Sequence, residues 1–362
     1  MEKIGETIAL IAHFEAKVAE LIGNHTQDIK VTEETLLEQY DLVSGIASEL
    51  PIFSQPLTWC PKLERDVNRI TVDRIVSLNF TIDSFRGLEG KRIRVIGKSG
   101  EEKGEFNRPG YCCVDQNFLY VSDTQNDRIQ IFRKSDGSFF ESIGSRGSRG
   151  PKPNQFQCPT GIAVNGKYLY VADSIRNDIR VFEMKMASNA YKPNRLFPFF
   201  SRVIGSGTRQ FNKPQGICVD SDYLYVCDNN GVQITDLNGL FVRKLDVEKP
   251  ESIAIDGNEL FVTERDRVQV FEKSDGKLLR SIHIDGKNQK YEKEPKGICI
   301  FGNHLIVSDN TYEIRVFCKK DGSFINEFSS KIFINRICCD TTNLYTTTFC
   351  VFNASDSVQV FE

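Results

Sequence analysis

Cys218 and Cys227 stand nine residues apart in GICVDSDYLYVCD (216–228), a spacing that could serve a metal site, a disulfide or an activated nucleophile. The rest of the sequence supplies none of these with its missing parts. The 11 cysteines contain no C-x-x-C pair, which removes the usual zinc-ribbon spacing. Their odd number and irregular spacing argue against a disulfide framework of the secreted type. The run Gly205-Ser206-Gly207 lacks the third glycine of a dinucleotide-binding loop. Neither a P-loop lysine pattern nor a G-x-S-x-G elbow occurs. The expectation is a protein with no catalytic residues, no metal and no cofactor.

An internal repeat accounts for the cysteines instead. PGYCCVDQNFLYVSD (109–123), PTGIAVNGKYLYVAD (159–173), PQGICVDSDYLYVCD (214–228), PESIAIDGNELFVTE (250–264) and PKGICIFGNHLIVSD (295–309) align, and NRICCDTTNLYTTT (335–348) is a weaker sixth copy. Leu119, Leu169, Leu224, Leu260, Leu305 and Leu344 are 50, 55, 36, 45 and 39 residues apart, a period of propeller-blade size with variable loops. Each copy predicts four short strands. A G-I-x-V-D run turns tightly, as at Asn165-Gly166, into an L-Y-V-x-D run. A third strand such as EIRVF (313–317) leads through a Ser-Asp-Gly type hairpin to a fourth, such as KLLRSIHI (277–284). Four-stranded antiparallel units in six copies predict a mainly β fold, a six-bladed β-propeller, preceded by a small α-helical N-terminal region. SVQVFE (357–362) is followed by no fourth strand, while KRIRVIG (91–97) precedes the first copy. Residues 92–97 are therefore expected to pair with the last blade and close a ring over 91–362, leaving no free sheet edge.

This alignment puts Cys112, Ala163, Cys218, Ala254, Cys299 and Cys338 at one position of the innermost strand. Cys227 falls with Ser122, Ala172, Thr263 and Ser308. Cys113 and Cys339 fall with Val164, Val219, Ile255 and Ile300. Inner strands converge on the axis, so these are packing positions where a thiol acts as a small hydrophobe. Cys318 aligns with Glu183, Glu272 and Glu362 and is expected to be exposed. The four histidines, His13, His25, His283 and His304, share no repeat position. The strand-two acids Asp123, Asp173, Asp228 and Asp309, with Glu264 substituting in blade four, are expected to accept hydrogen bonds from loop backbone rather than to ring a cation.

The repeat resembles the NHL repeat, whose pattern is roughly F-x-x-P-x-G-I-x-V-D, L-Y-V-x-D, N-x-R-I and V-F. Phe106, Phe156 and Phe211 with Pro109, Pro159 and Pro214 match its opening, and Asn126 and Arg128 match N-x-R in the first blade alone. In tripartite-motif (TRIM-NHL) proteins such a propeller follows a RING, B-boxes and a coiled coil. This chain is similar to the tail of that arrangement, without the zinc modules that would recruit a ubiquitin-conjugating enzyme. The resemblance implies a substrate-recognition or scaffold module. Its alternatives are an RNA-binding propeller, a component of a ubiquitin-ligase system, or a propeller enzyme. The related α-amidating lyases hold zinc on propeller histidines, and the histidines here do not match that set.

Inter-blade linkers and strand-two/strand-three loops share one propeller face. Arg146, Arg149 and Lys152 lie in one linker and Lys287, Lys290 and Lys293 in another, joined by Arg176 and Arg209. These eight cations are the candidate binding residues. They are offset by Glu101, Glu102, Glu105, Glu292 and Glu294, and suit an acidic protein partner or RNA. Residues 184–198 form an excursion between strands three and four, on the opposite face.

Residues 1–90 carry a net charge of −7 and residues 91–362 a net of +4, which marks two different objects. Residues 1–50 predict two amphipathic helices, the first carrying Ile4, Ile8, Ile11, Phe14, Val18, Leu21 and Ile22 at helical period, the second capped by Thr32. Residues 51–90 predict a linker with one strand, RIVSLNFTID (74–83). The helices offer apolar stripes through which copies of the chain could associate. No apolar run of about 18 residues occurs, so no membrane insertion and a cytoplasmic location are expected. The function expected from the whole is a non-enzymatic interaction protein whose propeller binds a protein partner, with RNA as the alternative ligand.

Overall fold

The computed structural model describes residues 90–147, 150, 152, 154–186, 196–205, 211–284, 294–309, 312–330, 332–348 and 356–361. The expected helices of 1–50 and the strand at 74–83 lie outside the described residues. The rest is a six-bladed propeller of four-stranded antiparallel sheets. Blade one is Pro109–Val114, Phe118–Asp123, Arg128–Arg133 and Phe139–Gly144. Blade two is Pro159–Asn165, Tyr168–Asp173, Asp178–Met186 and Leu196–Ile204. Blade three is Ile217–Val219, Tyr223–Asp228, Gly231–Asp236 and Phe241–Leu245. Blade four is Ile253–Asp256, Glu259–Glu264, Arg267–Glu272 and Leu278–His283. Blade five is Pro295–Phe301, His304–Asp309, Glu313–Cys318 and Phe324–Ser329. Blade six joins Ile334–Cys339, Leu344–Thr348 and Ser357–Phe361 to the strand Arg92–Ile96, with Ile96 opposite Val358.

Burial explains why strand two is so uniformly apolar. Phe118–Asp123 is buried at every position, because blades flank it on both sides, whereas the outer strand Phe241–Leu245 is exposed along most of its length. A strand covered on both faces keeps a continuous apolar run; one at the rim does not. The core is accordingly six wedges, each shared by two neighbouring blades. Ile129 and Ile131 of blade one, for instance, pack with Ile162, Leu169 and Val171 of blade two.

Strand pairing corrects the alignment of one blade. Cys113 lies opposite Tyr120, as Ala163 lies opposite Tyr170, Cys218 opposite Tyr225 and Cys338 opposite Tyr345. Cys112 lies opposite Val121 and takes the position that Ile162 and Ile217 hold opposite Val171 and Val226. Two adjacent cysteines look alike in sequence, but a pleat of period two sends them to opposite faces. Cys318 is half-buried rather than exposed, opposite His304 in the sheet. Of the expected 184–198 excursion, residues 184–186 and 196–198 continue the hairpin, since strands three and four of blade two pair out to Met186 and Leu196, and residues 187–195 lie outside the described residues.

Lysines clamp each of three blades to the one before it. Lys134 of blade one reaches Asp340 of blade six at 2.8 Å, Lys273 reaches Asp220 at 3.1 Å, and Lys319 pairs with Asp256. Burial pushes the Asp340 carboxyl up, but Lys134 and the Thr342 and Asn343 amides more than offset it and hold it at about 2. A carboxyl whose folded pKa lies below its unfolded value stabilises fully above that unfolded value and loses the contribution as pH falls. Between 3.8 and about 2, acid unfolding should therefore be less steep for Asp340→Asn than for the wild type, as measured by urea denaturation at each pH.

A charged plug and cationic mouth on the propeller axis

The third residue of each strand-one segment faces the axis: Tyr111, Gly161, Gly216, Ser252, Gly297 and Arg336. Neighbouring inner strands approach so closely that a side chain rarely fits. A Cβ on Gly216 would lie 2.9 Å from the Ser252 Cα, and one on Gly297 would lie 2.8 Å from the Ile337 nitrogen. Four small residues thus draw the ring tight, and the two large ones fill what remains. The Tyr111 hydroxyl donates to the Glu251 carbonyl, across from blade one to blade four. The Arg336 guanidinium lies 4.6 Å from the Tyr111 ring, donates to the Glu251 carboxylate, and donates to the Asn335 carbonyl at 2.9 Å. Lys296 of blade five reaches Glu251 at 2.7 Å. Four blades are therefore tied together through one polar plug.

The electrostatics of the plug favour its charged state. Burial pushes the Glu251 carboxyl up, but Arg336 and Lys296 outweigh it and leave the group below its ordinary value. Burial opposes the Arg336 charge, but Tyr111 and Glu251 outweigh that and raise its pKa. Burial also raises the Tyr111 phenol, which stays a neutral donor. Lys296 also lies 3.2 Å from the more exposed Glu294 carboxylate, so the two cations of the plug are matched by two anions, of which Arg336 and Glu251 form the inner pair.

Over the plug lies a pocket of about 250 Å³, lined by Arg108, Gly110, Tyr111, Thr124, Gln125, Thr160, Gln215, Asn335 and Arg336. Arg108 comes from an inter-blade linker and Gln125 from a strand-two/strand-three loop, so the pocket opens on the linker face. Arg108, Lys213 and Lys249 stand at one repeat position, just before Pro109, Pro214 and Pro250. All three are exposed, and none of their side chains has a hydrogen bond or ion pair among the described residues. Their φ angles are 48°, 53° and 49°, in the left-handed region that costs a side-chain-bearing residue about 1 kcal/mol. Neighbouring blades hold two of them there: the Arg108 amide donates to Asp356 at 2.6 Å and the Lys213 amide to Asn177 at 2.6 Å.

The strand-two acids fasten the linkers. Asp123 is fully buried and accepts from the Asn107 amide at 2.7 Å, Asn126 at 2.9 Å, Arg128 at 2.8 Å and Gln130 at 3.0 Å. Asp173 accepts from the Gln157 amide at 2.8 Å, and Asp228 from the Asn212 amide at 2.9 Å. Asp309 pairs with Arg315 at 3.0 Å, and Glu264 accepts from the Glu248 amide at 2.6 Å. Burial raises the Asp123, Asp173 and Asp228 carboxyls, partly offset by these donors.

The cations singled out in sequence have other places. Arg146 pairs with Glu101, and Arg176 donates to the Gly150 carbonyl at 2.9 Å and lies 3.4 Å from Asp178. Lys152 is exposed. Arg149, Arg209, Lys287, Lys290 and Lys293 lie outside the described residues. Arg108, Lys213 and Lys249 stand at the very ends of their linkers, outside the basic stretches read from the sequence. Their signal was present, a cation before the repeat proline in NRPG, NKPQ and EKPE.

Among the described residues, no three His, Cys, Asp or Glu side chains converge as a metal site, and no helix is long and apolar enough to cross a membrane. His283 is exposed, 3.7 Å from Asp266, and burial lowers the pKa of His304. The described cysteines are free thiols, and Cys227 is fully buried while Cys218 is half-buried. Cys218→Ala installs the residue that blades two and four carry there, so it should cost no more than about 1 kcal/mol in chemical denaturation. A larger loss would overturn the packing role.

Comparison with known proteins bears mainly on the fold. A family model described as the LVIVD repeat matches residues 160–178 and 213–237, in blades two and three. The match supports a repeat propeller without singling out the NHL repeat. No curated protein matches the chain. Among solved structures, that of U3-55K is similar with a TM-score of 0.52 and 14% identity, over 76% of this chain and 99% of that one. Hydrazine synthase of Kuenenia stuttgartiensis is similar with a TM-score of 0.49 and 12% identity, over 73% of this chain and 98% of that one. At such identity the likeness is one of fold, and the chain is a six-bladed repeat β-propeller with LVIVD-like repeats in two of its blades.

Proposed function

We propose that the propeller is a protein-binding module that takes an acidic segment of a partner at the axial mouth of its linker face. The observation that carries this reading is a set of three exposed cations at one repeat position, Arg108, Lys213 and Lys249, unpaired among the described residues, with Arg108 lining a pocket whose floor carries the Arg336 guanidinium. Nearby acids are already committed, Glu251 to Arg336 and Lys296, Glu248 to Arg265, and Glu294, which holds the same repeat position in blade five, to Lys296. A positive field of this kind steers an acidic chain and fixes its register. The pocket, at about 250 Å³, is smaller than the roughly 300–1,000 Å³ of small-molecule sites and suits one inserted side chain. Strain supports the same reading, because glycine would relax all three positions and each carries a cation instead. The module acts by binding and not by catalysis, in the recognition or scaffold role that the likeness to NHL propellers implies.

Affinity purification followed by mass spectrometry tests this. Wild-type protein should retain partners that elute as salt rises and that survive RNase. The triple reversal Arg108→Glu, Lys213→Glu, Lys249→Glu should retain them at least tenfold less. Undiminished capture by the triple variant sinks the site, and loss of all partners on RNase treatment replaces the protein ligand by RNA. Arg108→Gly alone should raise Tm by about 2 °C while weakening capture, because it relieves backbone strain and removes one charge.

A further inference from the structure

We propose that Cys112 and Cys338 form a thiol-modification site, an oxidisable pair that joins the first and last blades covalently. Their Sγ atoms lie 3.2 Å apart across the seam where the ring closes. The seam is exceptional in composition. At each of the other five junctions, the strand-one residue of one blade meets an isoleucine of the next. Ala163 packs with Ile217, and Cys218 with Ile253. Ala254 meets Ile298, Cys299 meets Ile337, and Cys113 meets Ile162. Only between blades six and one is the isoleucine replaced by cysteine, so that Cys338 faces Cys112. A branched side chain would hold the sulfur away; its absence brings Cys112 and Cys338 together here, while Cys339 of blade six interacts with Cys299 of blade five at the neighbouring junction. This is also the junction whose outer strand, Arg92–Ile96, comes from the opposite end of the ordered ring.

The chemistry balances with a peroxide as the two-electron oxidant. Cys338 is half-buried and Cys112 only 5% exposed, so Cys338 meets the oxidant first. Its thiolate sulfur attacks one peroxide oxygen, the O–O bond breaks, and a sulfenic acid and one water form. The Cys112 thiolate then attacks the Cys338 sulfur, the S–O bond breaks, and the S–S bond forms with release of a second water. Two thiols lose two electrons and two protons, and hydrogen peroxide becomes two waters. Burial raises the Cys338 thiol well above its ordinary value, so thiolate is scarce near neutrality and the rate should climb with pH. Closing a loop of 226 residues in the unfolded chain should stabilise the oxidised ring.

The full-length protein carrying Cys113→Ala and Cys339→Val isolates the pair, since other blades carry alanine and valine at those positions. After hydrogen peroxide under native conditions, peptide mass spectrometry should show Cys112 linked to Cys338. Tm should rise by about 5 °C and return on reduction with dithiothreitol. Both responses should vanish in Cys112→Val and, independently, in Cys338→Ala, so that misfolding of one variant leaves the other as control. The proposal is overturned if Cys338 stops at sulfenic or sulfonic acid with Cys112 still reduced. It is equally overturned if either cysteine links to Cys299 instead, or if the link forms only in denaturant.

Discussion

Gly161→Ala should be among the most damaging single-methyl changes in the chain, costing about 3 kcal/mol and lowering Tm by roughly 6–12 °C. The new Cβ would overlap the Gln215 carbonyl oxygen of the next blade, and the Ile217 nitrogen would lie 2.9 Å away. Both obstacles are backbone, so no side chain can rotate aside. Gly161 is not among the residues of positive φ, and its own backbone accepts alanine without strain. The whole cost therefore comes from pushing two inner strands apart, which every blade around a closed ring must share. Gly166→Ala is the contrasting control. Its φ of 55° disfavours a side chain, but nothing lies within 4 Å of the added methyl, so it should cost about 1 kcal/mol. Calorimetry of both variants decides the matter. A Gly166→Ala protein less stable than Gly161→Ala would show that turn geometry, not axial closeness, sets the stability of the ring.

The second large effect is expected at the plug, and it should be asymmetric. Glu251→Gln removes the carboxylate shared by Arg336 and Lys296, and leaves a nearly buried guanidinium without its counter-ion among the described residues. Stranding a buried charge costs about 3 kcal/mol or more, well beyond the value of a surface pair. Arg336→Met removes the buried charge itself, keeps comparable bulk against the Tyr111 ring, and leaves Glu251 paired with Lys296 at 2.7 Å. That variant should lose only about 1 kcal/mol. The double variant should resemble Arg336→Met, since the stranded charge is then gone. Urea denaturation of the three proteins gives the coupling directly, and a costlier Arg336→Met would mean that the plug acts through packing rather than charge.

Much of this molecule was written locally. The L-Y-V-x-D runs, the G-I-x-V-D runs and the turns at Asn165-Gly166 and Asp256-Gly257 specify strand, turn and strand within a few residues. Repetition then specifies the blade, and six blades with a displaced first strand specify a closed ring. The strand-two acids were legible for the same reason, because Asp123, Asp173 and Asp228 hold amides 16 residues away in the same blade. Cysteine at Cys218 and Cys227 was legible as packing because aligned copies carry alanine, serine or threonine there.

The axis could not be read in this way. Tyr111 and Arg336 were visible as departures from a column of glycines, yet nothing in the repeat says that they meet Glu251, 140 and 85 residues away. The register of Cys112 also needed the sheet, since a one-residue slip between two adjacent cysteines leaves the sequence pattern intact but exchanges the faces. Periodicity encodes contacts inside a repeat. Contacts between repeats depend on how far each blade is turned relative to the last, and that angle is set only when the ring closes. The sequence by itself determined the blades, their number and their fastening acids. Tertiary structure alone decided which side chains share the axis, which cations line the pocket over it, and which two thiols face each other at the seam.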